Sequence, residues 1–161
     1  MPLMDLLSEE CICLHLRSAS KEGVLAELVD ILDRAGKLKD RESFLQAVLA
    51  REATGSTGLE QGVAIPHART DSVREAGIAL GISREGIDFA ALDGQPSHLF
   101  MLIAEPAEVD SGHLDILAAA SCRLIDADFR RRLLDARATA EAMRLFAVEE
   151  VVTPPQEAES R

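Results

Sequence analysis

Leu99-Phe100-Met101-Leu102-Ile103-Ala104 is an unbroken apolar run, preceded by Pro96 and His98 and closed by Glu105-Pro106. A short run that is apolar on both alternating faces reads as a strand covered on both sides, at the centre of a sheet. Upstream, Gly77-Ile78-Ala79-Leu80-Gly81-Ile82 and Val63-Ala64-Ile65 have the same character and are bounded by Gly, Pro and acidic residues. Near the start, Cys11-Ile12-Cys13-Leu14-His15-Leu16 alternates, which predicts a strand with aliphatics on one face and Cys11, Cys13 and His15 on the other. Cys-x-Cys-x-His contains metal-ligand types, but no matching ligand cluster occurs elsewhere in the chain. Free cysteine is also among the most buried residue types, so these three read as core or half-buried and no metal site is expected.

Between these strands the period changes to that of helices. Ser20 is placed to cap a helix with Val24, Leu25, Leu28, Val29 and Leu32 on one face, and Gly36 supplies its stop. Asp40 precedes a second helix, with Phe44, Leu45, Val48 and Leu49 as its stripe, ending near Thr54-Gly55. After Glu105-Pro106, Asp110 or Ser111 opens a helix carrying Leu114, Ile116, Leu117 and Ala120 inward. Two further helices carry Phe129, Leu133 and Leu134, then Met143, Leu145 and Phe146. From Thr153 through Pro154-Pro155 to Arg161 all apolar pattern is lost. The mixture describes an α/β or α+β fold in one unit, with the topology left open.

At 161 residues, 47% hydrophobic and 28% charged, the chain has enough apolar material for one packed core. Its formal net charge of -11 repels phosphate backbones and anionic lipid, which argues against nucleic acid as a partner. Aromatics at 3% also leave no stacking platform beside Arg130-Arg131-Arg132, which reads as a solvated helix face. Three cysteines and no secretory leader fit a reduced, cytoplasmic protein, and no apolar run approaches the roughly 20 residues that span a bilayer.

The chemistry concentrates between Arg51 and Arg69, where Gly55, Ser56, Thr57, Gly58 and Gly62 crowd the link from a helix to a strand. Glycines allow exposed amides to face an anion, and the Ser56 and Thr57 hydroxyls add donors. The loop lacks the Gly-Lys-Ser/Thr ending of a Walker A loop and is followed by no helix pattern, so nucleotide binding is poorly supported. His67 follows Pro66, which stiffens the backbone just after a buried strand. A neutral imidazole there is a nucleophile, with Arg51 and Arg69 near in sequence to neutralise an anion, which makes phosphoryl capture the natural chemistry. His113 lies in the first turn of its helix, either as a core-edge histidine or as a donor to a phosphate held elsewhere. His98, beside a proline at the start of a strand, reads as structural.

Arg51-Glu52, Gly55-Ser56-Thr57-Gly58 and Ala64-Ile65-Pro66-His67 together resemble the active-site segment of type-2 enzyme IIA domains of the bacterial phosphotransferase system, the fructose, mannitol and nitrogen-regulatory group. His113-Leu114 with Leu117, the stretch Leu124 to Leu134, and Leu92-Asp93-Gly94 are similar to that family as well, so the likeness runs from about Leu3 to Val148. The resemblance implies a single compact α/β domain, a mixed sheet flanked by helices, over 1–150, with 151–161 as a disordered tail. It implies that His67 accepts a phosphoryl group on Nε2 from the histidine phosphocarrier protein. Arg51 and His113 attend the phosphate, Ser56, Thr57 and Gly58 bind it, and no cofactor is needed. Glu60 departs from the family's pattern, where a small residue is usual. A carboxylate near a phosphohistidine repels it, so either Glu60 points away or transfer is slowed.

Two functions follow. One is a relay that passes the group to an enzyme IIB and so to a sugar. The other is a regulatory binding module whose grip on a transporter or kinase is switched by phosphorylation of His67.

Overall fold

The computed structural model describes residues 3–108 and 113–147, the first three residues of the second stretch by their backbone alone. The expected tail, 151–161, and the expected helix cap at Asp110 or Ser111 lie outside the described residues. Helix α1 (Lys21–Arg34) begins where Ser20 Oγ accepts the Gly23 N–H at 3.0 Å. It ends in a turn in which Lys37 N–H donates to Leu32 O at 3.1 Å and Gly36 N–H to Asp33 O at 3.0 Å. Helix α2 (Arg41–Ala53) is capped by Asp40, whose carboxyl accepts the Ser43 N–H at 3.1 Å; that bond holds the carboxyl below its ordinary pKa. The apolar stripes land as the spacing predicts, with Val24, Leu25, Leu28, Val29 and Leu32 of α1 and Phe44, Leu45 and Val48 of α2 buried. Glu52 is buried with them.

Strands β1 (Ile12–Cys13), β2 (Val63–Ala64), β3 (His67–Thr70), β4 (Gly77–Ile87) and β5 (Ser97–Pro106) make one mixed sheet. β5 lies at its heart, antiparallel to β4 and parallel to β2 and β3, while β1 adds to the outer side of β4 in parallel. The central apolar run Leu99–Ala104 is buried throughout, as its sequence predicts. Both β4 and β5 extend beyond their apolar runs because they form a ribbon with each other, in which polar residues are tolerated outside the layered core. The strand expected over 11–16 is shorter. Cys11 closes a helical turn (Glu9–Cys11), so only Ile12 and Cys13 join the ladder, although Leu16 N–H still reaches Ile82 O at 2.9 Å. Cys11 is buried, which pushes its thiol pKa up, Cys13 is half-buried and His15 is exposed.

Helices α1 and α2 cover one face of the sheet, and α3 (His113–Leu124), α4 (Ala127–Asp135) and α5 (Thr139–Ala147) gather on the other side. Phe129 and Phe146 meet edge to face at 5.0 Å, and the Arg123 guanidinium lies 4.4 Å from the Phe129 ring while donating to Leu145 O at 2.7 Å. The closest approach of helix to sheet is at Gly81, where an added Cβ would stand 2.8 Å from methyls of Leu16 and Leu28. Gly81→Val therefore forces α1 off β4, and we expect it to lose about 1–3 kcal/mol of stability. Urea unfolding followed by circular dichroism measures this, since the chain has neither Trp nor Tyr.

Candidate functional site

β2 and β3 are one edge strand interrupted by Ile65-Pro66. Val63 pairs with Leu99 and His67 with Ile103, the same offset on either side of the break. An edge position tolerates a proline because the missing N–H would have faced no ladder partner, and the Pro66 carbonyl still accepts the Ile103 N–H at 3.0 Å. The chain before β2 folds back along it: Leu59 N–H donates to Val63 O at 2.7 Å and Ile65 N–H to Thr57 O at 3.2 Å. That antiparallel register carries Gly55 to the level of His67. Arg51, in the last turn of α2, donates from Nη1 to Gly55 O at 2.8 Å and to Thr54 Oγ1 at 3.2 Å. The two residues separated by the whole loop are thus delivered to the same end of it.

His67 is half-buried, with Nδ1 2.9 Å from the carbonyl oxygen of Ile65. A carbonyl has no proton to offer, so Nδ1 carries the hydrogen and Nε2 of the neutral ring keeps its lone pair. The backbone itself sets the tautomer that makes Nε2 the nucleophile.

The loop is built on Glu52, a carboxylate whose side chain is only 4% exposed. It accepts from Thr57 N–H at 3.1 Å and from the Thr57 hydroxyl, and Lys21 Nζ lies 3.0 Å away. Lys21 also stands 4.6 Å over the Phe89 ring. Ser56 Oγ donates to Phe89 O at 2.7 Å and accepts the Gly58 N–H at 2.9 Å. At Gly58 a Cβ would come within 3.0 Å of Ala91 Cα, so glycine is required for the loop to lie against the 89–92 segment. The donors of Ser56, Thr57 and Gly58 that the sequence offers to a phosphate are therefore engaged in shaping the loop. Sequence reading missed Glu52 and Lys21. The signal was present, because Phe44, Val48 and Glu52 recur every four residues on one buried stripe of α2.

Alternation along the edge strand puts Val63, Ile65, His67 and Arg69 on one sheet face. Val63 and Ile65 line an apolar cleft with Ser121, Leu124 and Ile125, so the C-terminal end of α3 lies over the start of β2. From Ser121 back to His113 is ~12 Å of helix, and from Val63 on to His67 is ~13 Å of strand. The first residue of α3, His113, thereby begins its helix at the level of His67; its side chain lies outside the described residues. Arg69 is exposed, two residues beyond His67. Glu60 is exposed at the tip of the turn before β2, at the opposite end of the hairpin from His67, so it is distant from the ring. His98 is structural: its Nδ1 lies 3.0 Å from Ser83 O across the β4–β5 ribbon. Arg131 and Arg132 pair with Asp128 on an exposed face of α4.

Residues 5–148 match the family model described as phosphoenolpyruvate-dependent sugar phosphotransferase system, EIIA 2. A fructose-specific EIIABC component of Bacillus subtilis is 43% identical over 136 residues, 84% of this chain, which spans only 21% of that relative's length. A fructose-specific EIIA component of Haloferax volcanii is 42% identical over 79% of this chain and 82% of its own. Among solved structures, the nitrogen regulatory protein IIA-Ntr of Neisseria meningitidis superposes with a TM-score of 0.82 at 30% identity, over 89% of this chain and 97% of that one. No helix among the described residues is long and apolar enough to cross a membrane. With the family model matching nearly the whole folded region and the mixed sheet matching a solved IIA protein, the chain belongs to the type-2 EIIA family of the sugar phosphotransferase system.

Proposed function

We propose that this protein is a phosphoryl carrier that receives the group on Nε2 of His67 from the histidine phosphocarrier protein and passes it to an enzyme IIB. The observation that carries the reading is the Nδ1 contact to Ile65 O, which leaves Nε2 as the nucleophile on a rigid edge strand. The unit transferred is PO3⁻. The donor ring keeps the electron pair of the P–N bond that breaks and leaves as a neutral imidazole, while the Nε2 lone pair makes the bond that forms. The Nδ1 proton stays in place, and the Ile65 carbonyl shares the positive charge acquired by the ring. Arg51, held by Gly55 O at the same end of the loop, attends the phosphoryl oxygens, and the N-terminal end of α3 with His113 faces the same charge. Ser56, Thr57 and Gly58 serve the phosphate by fixing the loop that positions Arg51.

Identities of 42–43% to fructose-specific relatives, against 30% to IIA-Ntr, favour sugar relay over regulation. The second reading, a binding module switched by His67 phosphorylation, is favoured by the match along 97% of the IIA-Ntr chain. Onward transfer decides between them: a relay unloads to a fructose-type enzyme IIB, whereas a switch keeps its group and changes a binding affinity.

Intact mass after incubation with phosphoenolpyruvate, enzyme I and the phosphocarrier protein should show one acid-labile phosphoryl group, absent in His67→Ala; a gain in that variant rejects the assignment. Arg51→Ala should slow loading about a hundredfold while its circular dichroism spectrum stays that of the parent. Glu52→Ala leaves Lys21 and Thr57 without their buried acceptor, so urea unfolding should show a loss of about 3 kcal/mol, with loading impaired in the fraction that remains folded.

A further inference from the structure

Glu105 is a carboxylate of β5 that is 1% exposed, yet the loop network around Glu52 does not involve it. The register places it. His67 pairs with Ile103 and Arg69 with Glu105, and in a parallel pair opposed residues project from the same face. Ile103 and Glu105 alternate to a common face, so Glu105 shares the face of His67, one strand over and two residues further on. That diagonal separates their Cα atoms by about 8 Å, within reach of both side chains. It is also the face over which α3 begins, and the last face on which an apolar strand would be expected to carry a charge.

Loading His67 adds a net charge of -1, the PO3⁻ unit, at this place. A fixed carboxylate on the same face interacts unfavourably with the loaded state and has no such effect on the empty one. The site already supplies Arg51 and a helix N-terminus for binding the group. A second anion in a buried position lowers the depth of that well, so that the group can leave. Arg69, exposed and opposite Glu105 in the ladder, moderates this from the solvent side.

We propose that Glu105 sets the phosphoryl transfer potential of His67, making the phosphohistidine a stronger donor than the loop and Arg51 alone would allow. This rests on the reading of His67 as the phosphoryl acceptor. Glu105 acts through space on a group held by another residue, so it is a tuning residue and does not itself take part in bond making.

The test is the equilibrium of exchange with the phosphocarrier protein. Fully phosphorylated carrier is mixed with an equal amount of this protein, without phosphoenolpyruvate, and the phosphorylated fraction of each is read by intact mass. Glu105→Gln, which keeps the shape and removes the charge, should raise the exchange constant in favour of phospho-His67 about tenfold. Glu105→Asp, which keeps the charge, should stay close to the parent. An exchange constant for Glu105→Gln equal to or below that of the parent overturns the proposal and leaves Glu105 with a purely structural role, which a lowered melting temperature alone would report. Should the amide variant not fold, Glu105→Ala reads the same constant with the same expected sign. A parent protein that takes no phosphoryl group at all would instead reject the function proposed for His67, so the two failures are told apart.

Discussion

The pairing of β5 with the interrupted edge strand is the constraint on which the site depends. Because Val63 and His67 meet Leu99 and Ile103 at one constant offset, Pro66 breaks the hydrogen-bond ladder without shifting its register. A slip of one residue would turn His67 and Arg69 into the face covered by α2 and bring Ala68 out in their place. The alanines at 64, 68 and 104 are buried where α2 packs closely, and nothing as large as an imidazole fits there without moving the helix. Helix packing on one side of the sheet thus enforces which residues reach the other.

Glu52 extends this constraint to the loop. A carboxylate removed from water is costly unless its lone pairs are met, and here a lysine, an amide and a hydroxyl meet them. The geometry is informative because all three partners come from different places: Lys21 from the start of α1, Thr57 from the loop, and Glu52 itself from the end of α2. Losing any one leaves the others unpaired, so the loop has one arrangement instead of several. Arg51 is the residue before Glu52 on the same helical turn. Fixing Glu52 therefore fixes the origin of the Arg51 side chain, whose guanidinium is then held by Gly55 O.

Helix caps, apolar stripes and the central strands were legible in the chain because each is a local pattern: Ser20, Asp40, the run Leu99–Ala104. Strand order was not, since nothing local distinguishes an antiparallel ribbon of β4 and β5 from a crossover. Ser56, Thr57 and Gly58 were legible as phosphate-friendly but not as loop-shaping, because the residues that occupy their donors, Glu52 and Phe89, are fixed only by tertiary packing. Glu60 raised a question that spacing cannot answer. Seven residues before His67 is near in an extended chain and also near in a tight loop, whereas a hairpin that reverses at 60–62 places it at the far end. Glu105 reads in sequence as a boundary after an apolar run, and only the register reveals that it is buried on the face of His67.

A histidine that must both take and release a phosphoryl group needs a proton partner of moderate strength. Had a carboxylate held Nδ1, the imidazolium-like ring of the loaded state would gain a full countercharge, deepening the loaded state. A carbonyl fixes the same tautomer and accepts the same proton, but it stabilises the ring's positive charge only as a dipole. Orientation is thereby separated from charge: the Ile65 carbonyl aims Nε2, Arg51 and the start of α3 meet the incoming anion, and the depth of binding is left to groups that do not touch the ring. Such a division suits a carrier, whose free energies on either side of the exchange have to lie close together for the group to move on.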